Sequence, residues 1–286
     1  MQWDKAKNYM LIFFIIANVL LAALIRYETS SHILTRERVD AIYAVFAQNN
    51  ITMYHQIPRN FAPMRYLQLS TYGYDTDRLL SIFLDADAET THRSEPGRDE
   101  FVQGNTRLVI TGGNVFFISG KGVTGVPDKD SAIALTSEFI AEHYPDFRLD
   151  IHSTREALRG GLRLFYRQEY QGHLIHSNLV EFLITGEGDN LVIEEVDIHY
   201  SQPVSFVYMP RELAGPDEAL LTFVQHVRRQ EDAPIIIAHM DIAYVRPILG
   251  GRDAYVPIYA VPFYRIFIEG SDQPFLINAY TNRVML

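Results

Sequence analysis

The chain has 286 residues, of which 48% are hydrophobic and 21% charged, a composition typical of a folded protein rather than a disordered one. Its formal net charge of −10 at pH 7 provides no basic surface, which argues against nucleic acid as a partner. The length is sufficient for one large domain or two ordinary ones, and with no cysteine the fold must be stabilised by packing alone.

The first predicted element is an apolar helix near the amino terminus. Residues 9–25 are all apolar or aromatic except Asn18. At about 1.5 Å per residue this run spans roughly 25 Å, a little less than the hydrocarbon core of a bilayer. Its alanines lack the A-x-A spacing of a cleaved signal peptide, and lipoprotein processing is excluded because it needs a cysteine.

We therefore expect a retained, single-pass membrane anchor. The short basic lead, residues 1–8, is expected to be cytoplasmic, and residues 9–26 form the predicted transmembrane helix in the lipid bilayer. The remainder of the chain is then an extracytoplasmic domain at the cell membrane.

The first part of that domain is predicted to contain one helix and several strands. Thr35 is a suitable cap for a helix that runs to about Asn49. Three β-like runs follow (ITMYH, RYLQLS and LLSIFL), and the polar stretch 85–100 is expected to be an exposed loop. The segments TRLVIT and VFFIS, separated by Gly-Gly-Asn, predict a β-hairpin.

The second part begins with a helix after Pro127, capped by Asp128 or Asp130 and ended by Pro145. Ser153 and Glu156 have the spacing of a capping box and predict a short further helix. An antiparallel meander of three strands follows, with the sequences LRLFYRQEY, HLIHSNLVEFLI and LVIEEVDIHY.

The third part repeats this order. The sequence Gly-Pro-Asp-Glu from Gly215 predicts a helix start, and Arg228 lies at the predicted end, both in accord with the helix dipole. Three β-rich runs complete the chain. The predicted fold is therefore α+β, made of helix-plus-antiparallel-sheet units: an N-terminal unit at 32–125 and a C-terminal domain at 126–286 that holds two of them.

Three motifs were considered as chemical sites. Residues 120–125 match G-x-G-x-x-G, but they follow a hairpin and precede a proline, so a linker is favoured over a cofactor site. His173 and His176 are three residues apart on a strand and point to opposite faces, which argues against a shared metal ion.

The third motif consists of carboxylates. Glu194, Glu195 and Asp197 resemble the paired acids of a glycosidase acting on cell wall, although acids along an exposed strand are common. The sequence has no cysteine, no G-x-S-x-G and no S-x-x-K. We expect a protein that is not an enzyme and that binds neither a cofactor nor a metal ion.

Asn18 has two interpretations of equal weight. An amide within hydrocarbon gains from a hydrogen bond to another transmembrane helix, which predicts a contact there. Alternatively, a single-pass helix this apolar tolerates one asparagine without a partner.

Several segments resemble a known family. The first is the opening M-x-W-x-K-x-K, followed by Asn-Val-Leu from Asn18. The others are RQEYQGHLI at 167–175, PFYRI at 262–266 and FLINAYTN at 275–282. Together they resemble the YycI family, membrane-anchored auxiliaries of the WalK/WalR (YycG/YycF) two-component system that are related to YycH proteins. Two positions depart from the family pattern: Phe-Tyr at 263–264 replaces an expected Trp, and Asn282 replaces an expected Gly.

The resemblance implies a non-enzymatic regulator of a histidine kinase system that governs cell-wall metabolism. The partners it implies are a WalK-like (YycG) sensor histidine kinase and a YycH-like membrane protein. The residues expected in transmembrane contacts are Leu11, Phe14, Asn18 and Leu21. The residues that carry the possible ectodomain motif are Tyr170, Gly172, Tyr264, Arg265, Asn278 and Ala279.

The end of the chain is also similar to PepSY-type modules. This similarity supports an alternative function, an extracytoplasmic binding or protease-inhibitory module that the helix merely tethers. An enzyme acting on wall glycan is a third and weaker possibility.

Overall fold

A computed structural model of the chain describes residues 2–71, 73–157, 160–188, 190–228, 233–247 and 258–285, without the side chains of residues 2, 4–6 and 23–31. Within these ranges the fold is α+β, as predicted. The helices are α1 Gln2–Ser31, α2 Arg36–Gln48, α3 Thr76–Phe83, α4 Lys129–His143 and α5 Pro216–Val227. The first eight strands are β1 Ile51–Met53, β2 Met64–Thr71, β3 Thr91–Glu95, β4 Arg98–Gln103, β5 Thr106–Thr111, β6 Asn114–Ile118, β7 Phe147–Leu149 and β8 Arg155–Glu156. The others are β9 Leu162–Tyr170, β10 His173–Thr185, β11 Val192–His199, β12 Ser201–Arg211, β13 Ile235–Val245, β14 Ile258–Ile268, β15 Phe275–Asn278 and β16 Arg283–Val284.

The strands form one large mixed sheet. Its main path runs β12-β2-β14-β13-β10-β11-β6-β5-β4-β3, and β12 and β3 lie at its two ends. Neighbours on this path pair antiparallel except β10 and β13, and β1 also pairs parallel with β13. Strands from distant parts of the sequence are therefore direct neighbours in the centre of the sheet.

Helices α2 and α5 cover one part of the sheet. The Thr35 side chain caps α2, as predicted, and accepts a hydrogen bond from the backbone of Arg38. Val39, Ile42 and Phe46 recur at helical spacing and are buried in a core cluster shared with α5 and strands β13–β15. This periodicity places the buried apolar residues of α2 on one face, which packs into the core, whereas the other side of the helix is exposed.

Helix α4 covers a second core cluster. Asp128 caps the helix and accepts a hydrogen bond from the Ser131 backbone at 3.0 Å, which decides between the two predicted caps. Thr136 is buried on the inner face of α4, and its hydroxyl lies 2.8 Å from the hydroxyl of Tyr166 on β9. Ile140 of α4 packs with Phe182 of β10 in the same cluster.

Most local predictions are confirmed. The helices after Thr35, Pro127 and Gly215 are present, and so are the hairpin of β5 and β6 and the meander of β9, β10 and β11. The predicted boundaries between units, at residues 32–125 and 126–286, stay predictions.

Three local predictions are wrong. The run LLSIFL is helical up to Phe83, because Asp75 caps α3 and accepts from the Arg78 backbone at 3.2 Å. The polar stretch 85–100 is not a loop throughout, since it contains β3 and the start of β4; backbone pairing forms this hairpin although every β3 residue is exposed. The capping box at Ser153 starts no helix, because the Ser153 hydroxyl instead donates to Asp150 at 3.0 Å.

Strand β12 was not predicted. It follows directly after β11 and pairs with β2 across a large separation in sequence. Its exposed segment and two prolines conceal the alternating pattern that normally identifies a strand.

A partly buried ion pair joins α2 to α5. The Arg38 guanidinium donates to both carboxylate oxygens of Asp217, at 2.6 and 2.7 Å. Gly215 lies against this pair: a Cβ added there would be 2.4 Å from Asp217 Oδ1 and 2.8 Å from Arg38 Nη2. Gly215 has a φ of −62°, an ordinary value, so the glycine is required for space and not for backbone conformation.

Gly215→Ala should therefore destabilise the protein by displacing the bidentate pair. Overpacking of this kind costs about 1–3 kcal/mol, measured as the change in free energy of unfolding. The matched control is Gly73→Ala, where an added Cβ meets nothing within 4 Å. Equal stability of the two variants would show that the contact at Gly215 has no energetic importance.

Candidate functional site

Helix α1 carries an exposed apolar surface. Eleven large hydrophobic residues between Tyr9 and Leu21 each expose 51–72% of their surface. The four core clusters of the folded domain contain no described residue of α1. Among the residues whose side chains are described, however, no helix is both long and apolar enough to cross a lipid bilayer. The transmembrane anchor stays a prediction.

The four residues predicted to contact partner helices all lie in α1. Leu11, Phe14, Asn18 and Leu21 are exposed, and their spacing of three, four and three residues places them along one face. The Asn18 amide donates to the carbonyl oxygen of Phe14 at 2.8 Å. One of its hydrogen-bonding groups is thus satisfied within the helix, which reduces its need for a partner.

Tyr170 and Gly172 form a hairpin between β9 and β10. Gln171 and Gly172 both have positive φ, 49° and 79°, as a two-residue turn of this kind requires. Tyr170 pairs with His173 across the turn, and its hydroxyl donates to the Val204 carbonyl at 3.0 Å. These residues position β12 beside the meander.

The closing motif forms a second, separate contact. The Tyr264 hydroxyl donates to the Ala214 carbonyl at 2.6 Å, and the Ala214 amide donates to the Ala279 carbonyl at 2.8 Å. Asn278 accepts hydrogen bonds from the two backbone amides that follow Ala279. Asn282 has a φ of 53°, so it adopts the conformation for which the family pattern has glycine.

Arg265 lies in a buried charged cluster that also contains Asp150, Arg167 and Asp241. Oδ2 of Asp150 accepts three hydrogen bonds: from Arg167 Nε at 2.8 Å, from Arg265 Nη1 at 2.7 Å and from the Ser153 hydroxyl at 3.0 Å. The Arg265 guanidinium also forms a bidentate pair with Asp241, at 2.7 and 2.5 Å. Arg265 is only 1% exposed, and both Asp150 and Arg167 are buried.

The buried charged cluster contains two positive and two negative groups and is electrically balanced. Burial alone would raise the pKa of Asp150, but Arg265 and Arg167 outweigh it, and the pKa lies below its ordinary value. Burial likewise acts against the charged form of Asp241, yet hydrogen bonds from His239 and Arg265 lower its pKa to about 2. Burial lowers the pKa of Arg167 to about 10, which still leaves it charged at neutral pH.

His176 lies beside the two arginines and is neutral. Arg265 Nη1 approaches its Nδ1 atom at 3.3 Å, and Arg167 donates to its backbone carbonyl. An arginine can only donate, so Nδ1 must carry a lone pair and the proton of the neutral ring is on Nε2. Burial and the two arginines hold the pKa of His176 well below its usual range.

Three further imidazoles lie next to the buried charged cluster. His152 and His239 stack with ring centroids 3.8 Å apart, and His55 packs edge-on against both, at 6.1 and 5.6 Å. Nε2 of His239 is 3.7 Å from Asp241 Oδ2. Burial and the adjacent His239 lower the pKa of His152. Among the described residues, no group of three or more His, Asp or Glu side chains has an arrangement that could hold a metal ion.

The motifs discussed as alternative sites have separate surroundings. His173 packs against Phe206 and Tyr244, whereas His176 faces the arginines. Residues 120–125 lie between β6 and α4.

The acidic residues of β11 are each engaged in a different interaction. Glu194 accepts from the Ser119 hydroxyl at 3.0 Å, Glu195 pairs with Arg163 at 3.1 Å, and Asp197 pairs with His199 at 3.1 Å. The register of β11 against β10 shifts at Glu194, which leaves this residue without a direct partner on β10. The three carboxylates thus have three different partners and form no joint pair.

A group of aromatic residues lies at the β12 end of the sheet. This tyrosine patch consists of Tyr66, Tyr208, Tyr259 and Tyr280. The Tyr66 ring is in contact with the other three, and it stacks on Tyr280 at 5.2 Å. The Tyr208 hydroxyl donates to the Tyr259 hydroxyl at 3.1 Å, and the Arg211 guanidinium lies over the Tyr280 ring at 5.2 Å.

Tyr208 is unusual in its backbone conformation. Its φ is +63°, which is rare for a residue with a bulky side chain, and the pairing of β12 with β2 is irregular after Val207. This irregularity leaves Tyr208 64% exposed and its neighbour Met209 81% exposed. The patch is exposed at Tyr208 and half-buried at its other three tyrosines, and its content of Tyr and Arg is the composition of protein-binding hot spots.

Neither the buried charged cluster nor the tyrosine patch has a pattern that predicts it in the sequence. Arg167 and Arg265 belong to motifs that predict other roles, and Asp150 and Asp241 belong to none. The one local signal is an acidic residue within an apolar strand, as at Asp241 in the run HMDIAYV.

Comparison with known proteins gives the fold only. No family model matches the chain, and no curated protein matches it. The chain is similar to the crystal structure of an uncharacterized protein from Eubacterium rectale ATCC 33656, with a TM-score of 0.50 and 11% sequence identity. The match covers 82% of this chain and 90% of the other, so the two share an α+β architecture over most of their length.

The buried histidine predicts a pH dependence of stability. Because the pKa of His176 is lower in the folded protein than in the unfolded chain, the unfolded chain binds more protons below about pH 6.5. The contribution of His176 to stability is complete above that pH and is lost as the pH falls. His199 acts in the opposite sense, because its hydrogen bond to Asp197 raises its pKa.

The effect of His176 is isolated by comparing the wild type with His176→Asn. The Asn Oδ1 atom takes the place of Nδ1 and can accept from Arg265 without titrating. The melting temperature should fall by several degrees more in the wild type than in the variant between pH 7.5 and 5.5. Parallel pH profiles for the two proteins would contradict a neutral, buried His176.

Proposed function

We propose that this chain is a membrane-anchored, non-enzymatic accessory regulator of a WalK-like (YycG) sensor histidine kinase. In this proposal residues 1–8 are cytoplasmic, residues 9–26 cross the lipid bilayer and the folded domain lies outside the cytoplasm. Contacts are made through the transmembrane helix with the kinase and through the folded domain with a YycH-like membrane protein. Nucleic acid is not a partner.

The observation that carries this proposal is the exposed apolar surface of α1. The eleven hydrophobic side chains between Tyr9 and Leu21 face away from the folded domain on every side of the helix. Isolated surfaces of this kind are rare in water and are typical of helices that contact lipid or other helices. In sequence the apolar run continues to Ile25, beyond the described side chains.

The balance of charge in the folded domain supports a binding role over catalysis. In the buried charged cluster, Asp150 and Asp241 are each paired with arginine and held in the ionised form. A general acid or base needs a pKa near the working pH, which these pKa shifts do not provide. The tyrosine patch supplies an exposed surface suited to a protein partner.

The tyrosine patch also favours the alternative function. An extracytoplasmic PepSY-like module that binds or inhibits another protein needs such a surface, and it would use α1 only as a tether. The two functions therefore differ in whether the sequence of the helix is important.

Replacement of residues 9–25 by an unrelated apolar helix of equal length separates the two functions. We expect the replacement to abolish co-purification with the kinase and its signalling effect. Asn18→Leu should weaken the association only by about threefold, because interhelical hydrogen bonds in membranes average about 0.6 kcal/mol. Full activity of the replaced chain would contradict the proposal and support the tethered module.

The contact of the folded domain is tested with Tyr208→Asn. Asparagine tolerates positive φ, so this change removes the exposed ring and leaves the backbone conformation available. We expect at least about tenfold weaker binding to a co-expressed YycH-like partner, the loss typical of an interface hot spot, with unchanged melting temperature. Tyr54→Asn is the matched control, because Tyr54 is also 63% exposed but lies outside the patch. Equal binding by the two variants would exclude the tyrosine patch as the contact.

A further inference from the structure

A cavity of about 140 Å³ lies between α3 and the segment that connects α4 to β7. Its walls include the side chains of Tyr74, Tyr144, Phe147 and Tyr200, and Gln168 of β9 also lines it. Aromatic side chains therefore form a large part of the wall, and Gln168 contributes one amide. It is separate from both the buried charged cluster and the tyrosine patch, and the proposed regulatory function makes no use of it.

The orientation of the Gln168 amide is fixed by a chain of hydrogen bonds. The backbone amide of Ser201 donates to Asn178 Oδ1 at 3.1 Å, and Asn178 Nδ2 donates to the Ser201 carbonyl at 2.6 Å. The Asn178 amide can satisfy both contacts only in this orientation. Its second Nδ2 proton is donated to Gln168 Oε1 at 2.6 Å.

Gln168 consequently directs a donor, not an acceptor, toward the remaining space. Its Oε1 atom accepts from Asn178, which leaves the Nε2 protons available on the other side of the amide. Gln168 is 4% exposed and Asn178 is 1% exposed, so neither side chain can swing out into solvent. Nε2 is not fully enclosed, so the acceptor atom of an occupant can reach this donor and replace water there.

The size and charge of the cavity restrict the occupant further. A cavity of roughly 150 Å³ accommodates a single benzene-sized ring. The charged residues that line it are Asp75, Asp146 and Arg78, with two negative charges against one positive. This balance disfavours an anion. Aromatic walls favour a ring, which can stack against them or meet them edge-on.

We propose that this cavity is a binding site for a small, neutral, single-ring aromatic compound with a carbonyl oxygen. The oxygen accepts a hydrogen bond from Gln168 Nε2, and the ring lies among the four aromatic side chains. Gln168 is the residue that determines specificity, because it requires an acceptor on the ligand. The site requires neither the α1 helix nor a protein partner. Ligand binding at this cavity is therefore tested separately from the proposed regulatory function.

The test uses benzamide and benzamidine, which have the same shape. Benzamide has a carbonyl acceptor, whereas benzamidine is a cation that can only donate. Binding of each to the full chain in one detergent is measured by NMR, with the side-chain amide resonance of Gln168 as the local probe. We expect benzamide to bind in the millimolar range or tighter, to shift that resonance, and to bind at least about tenfold more tightly than benzamidine.

The Gln168→Glu variant should reverse this preference. A glutamate can still accept from Asn178, but it presents a carboxylate to the cavity, so benzamidine should then bind more tightly than benzamide. The matched control is Gln225→Glu, an exposed position in α5, which should behave as the wild type. The inference is overturned if benzamide does not bind, if it leaves the Gln168 resonance unmoved, or if the folded Gln168→Glu variant keeps the original preference. Should that variant fail to fold, the resonance of Gln168 in the wild type still decides the question.

Discussion

The Oδ2 atom of Asp150 is the constraint on which the centre of the fold depends. This one carboxylate oxygen accepts from Arg167, Arg265 and Ser153, and Arg265 extends the connection to Asp241. Each of these charges would be costly to bury alone, since removing a single partner from a buried pair costs several kcal/mol. The strands β9, β13 and β14 can therefore pack in this register only if all four groups are placed together.

The same cluster links the motif residues to the rest of the sheet. Arg265 and Tyr264 are adjacent on β14, and they point to opposite faces of a strand that is buried on both sides. Tyr264 donates a hydrogen bond to Ala214, which directly precedes α5. Arg265 binds Asp150, which in turn binds Arg167 of the meander strand β9. The motif thus connects β14 to the start of α5 on one face and to β9 on the other, which is a role in packing.

The two surfaces on which the proposed function rests lie outside the buried charged cluster. The exposed apolar side chains belong to α1, and the tyrosine patch lies at the β12 end of the sheet. In the proposed function the folded domain holds one surface for a partner outside the membrane while the helix makes contacts within it. The aromatic cavity beside α3 is a third feature, separate from both surfaces, and is the proposed site for a small ligand.

Local structure could be predicted well from sequence, and long-range contacts could not. Caps at Thr35 and Asp128 and the turn at Gly172 act within a few residues, so their patterns are visible in the chain. The short apolar run of α3 predicts a strand, because runs of this length are ambiguous between helix and strand. Asp75, the cap at its start, is the local signal for the helix. Asp150 and Arg265 lie 115 positions apart, and no local pattern indicates that they meet.

The central claim is that one face of α1 contacts the kinase within the membrane. Because the chain contains no cysteine, single cysteines can be introduced along α1 and cross-linked to the kinase in intact membranes. The account predicts cross-links at positions 11, 14, 18 and 21 and few at Ile16 and Leu20, which face the opposite side of the helix. Cross-linking that is uniform around the helix, or absent from it, would contradict the claim.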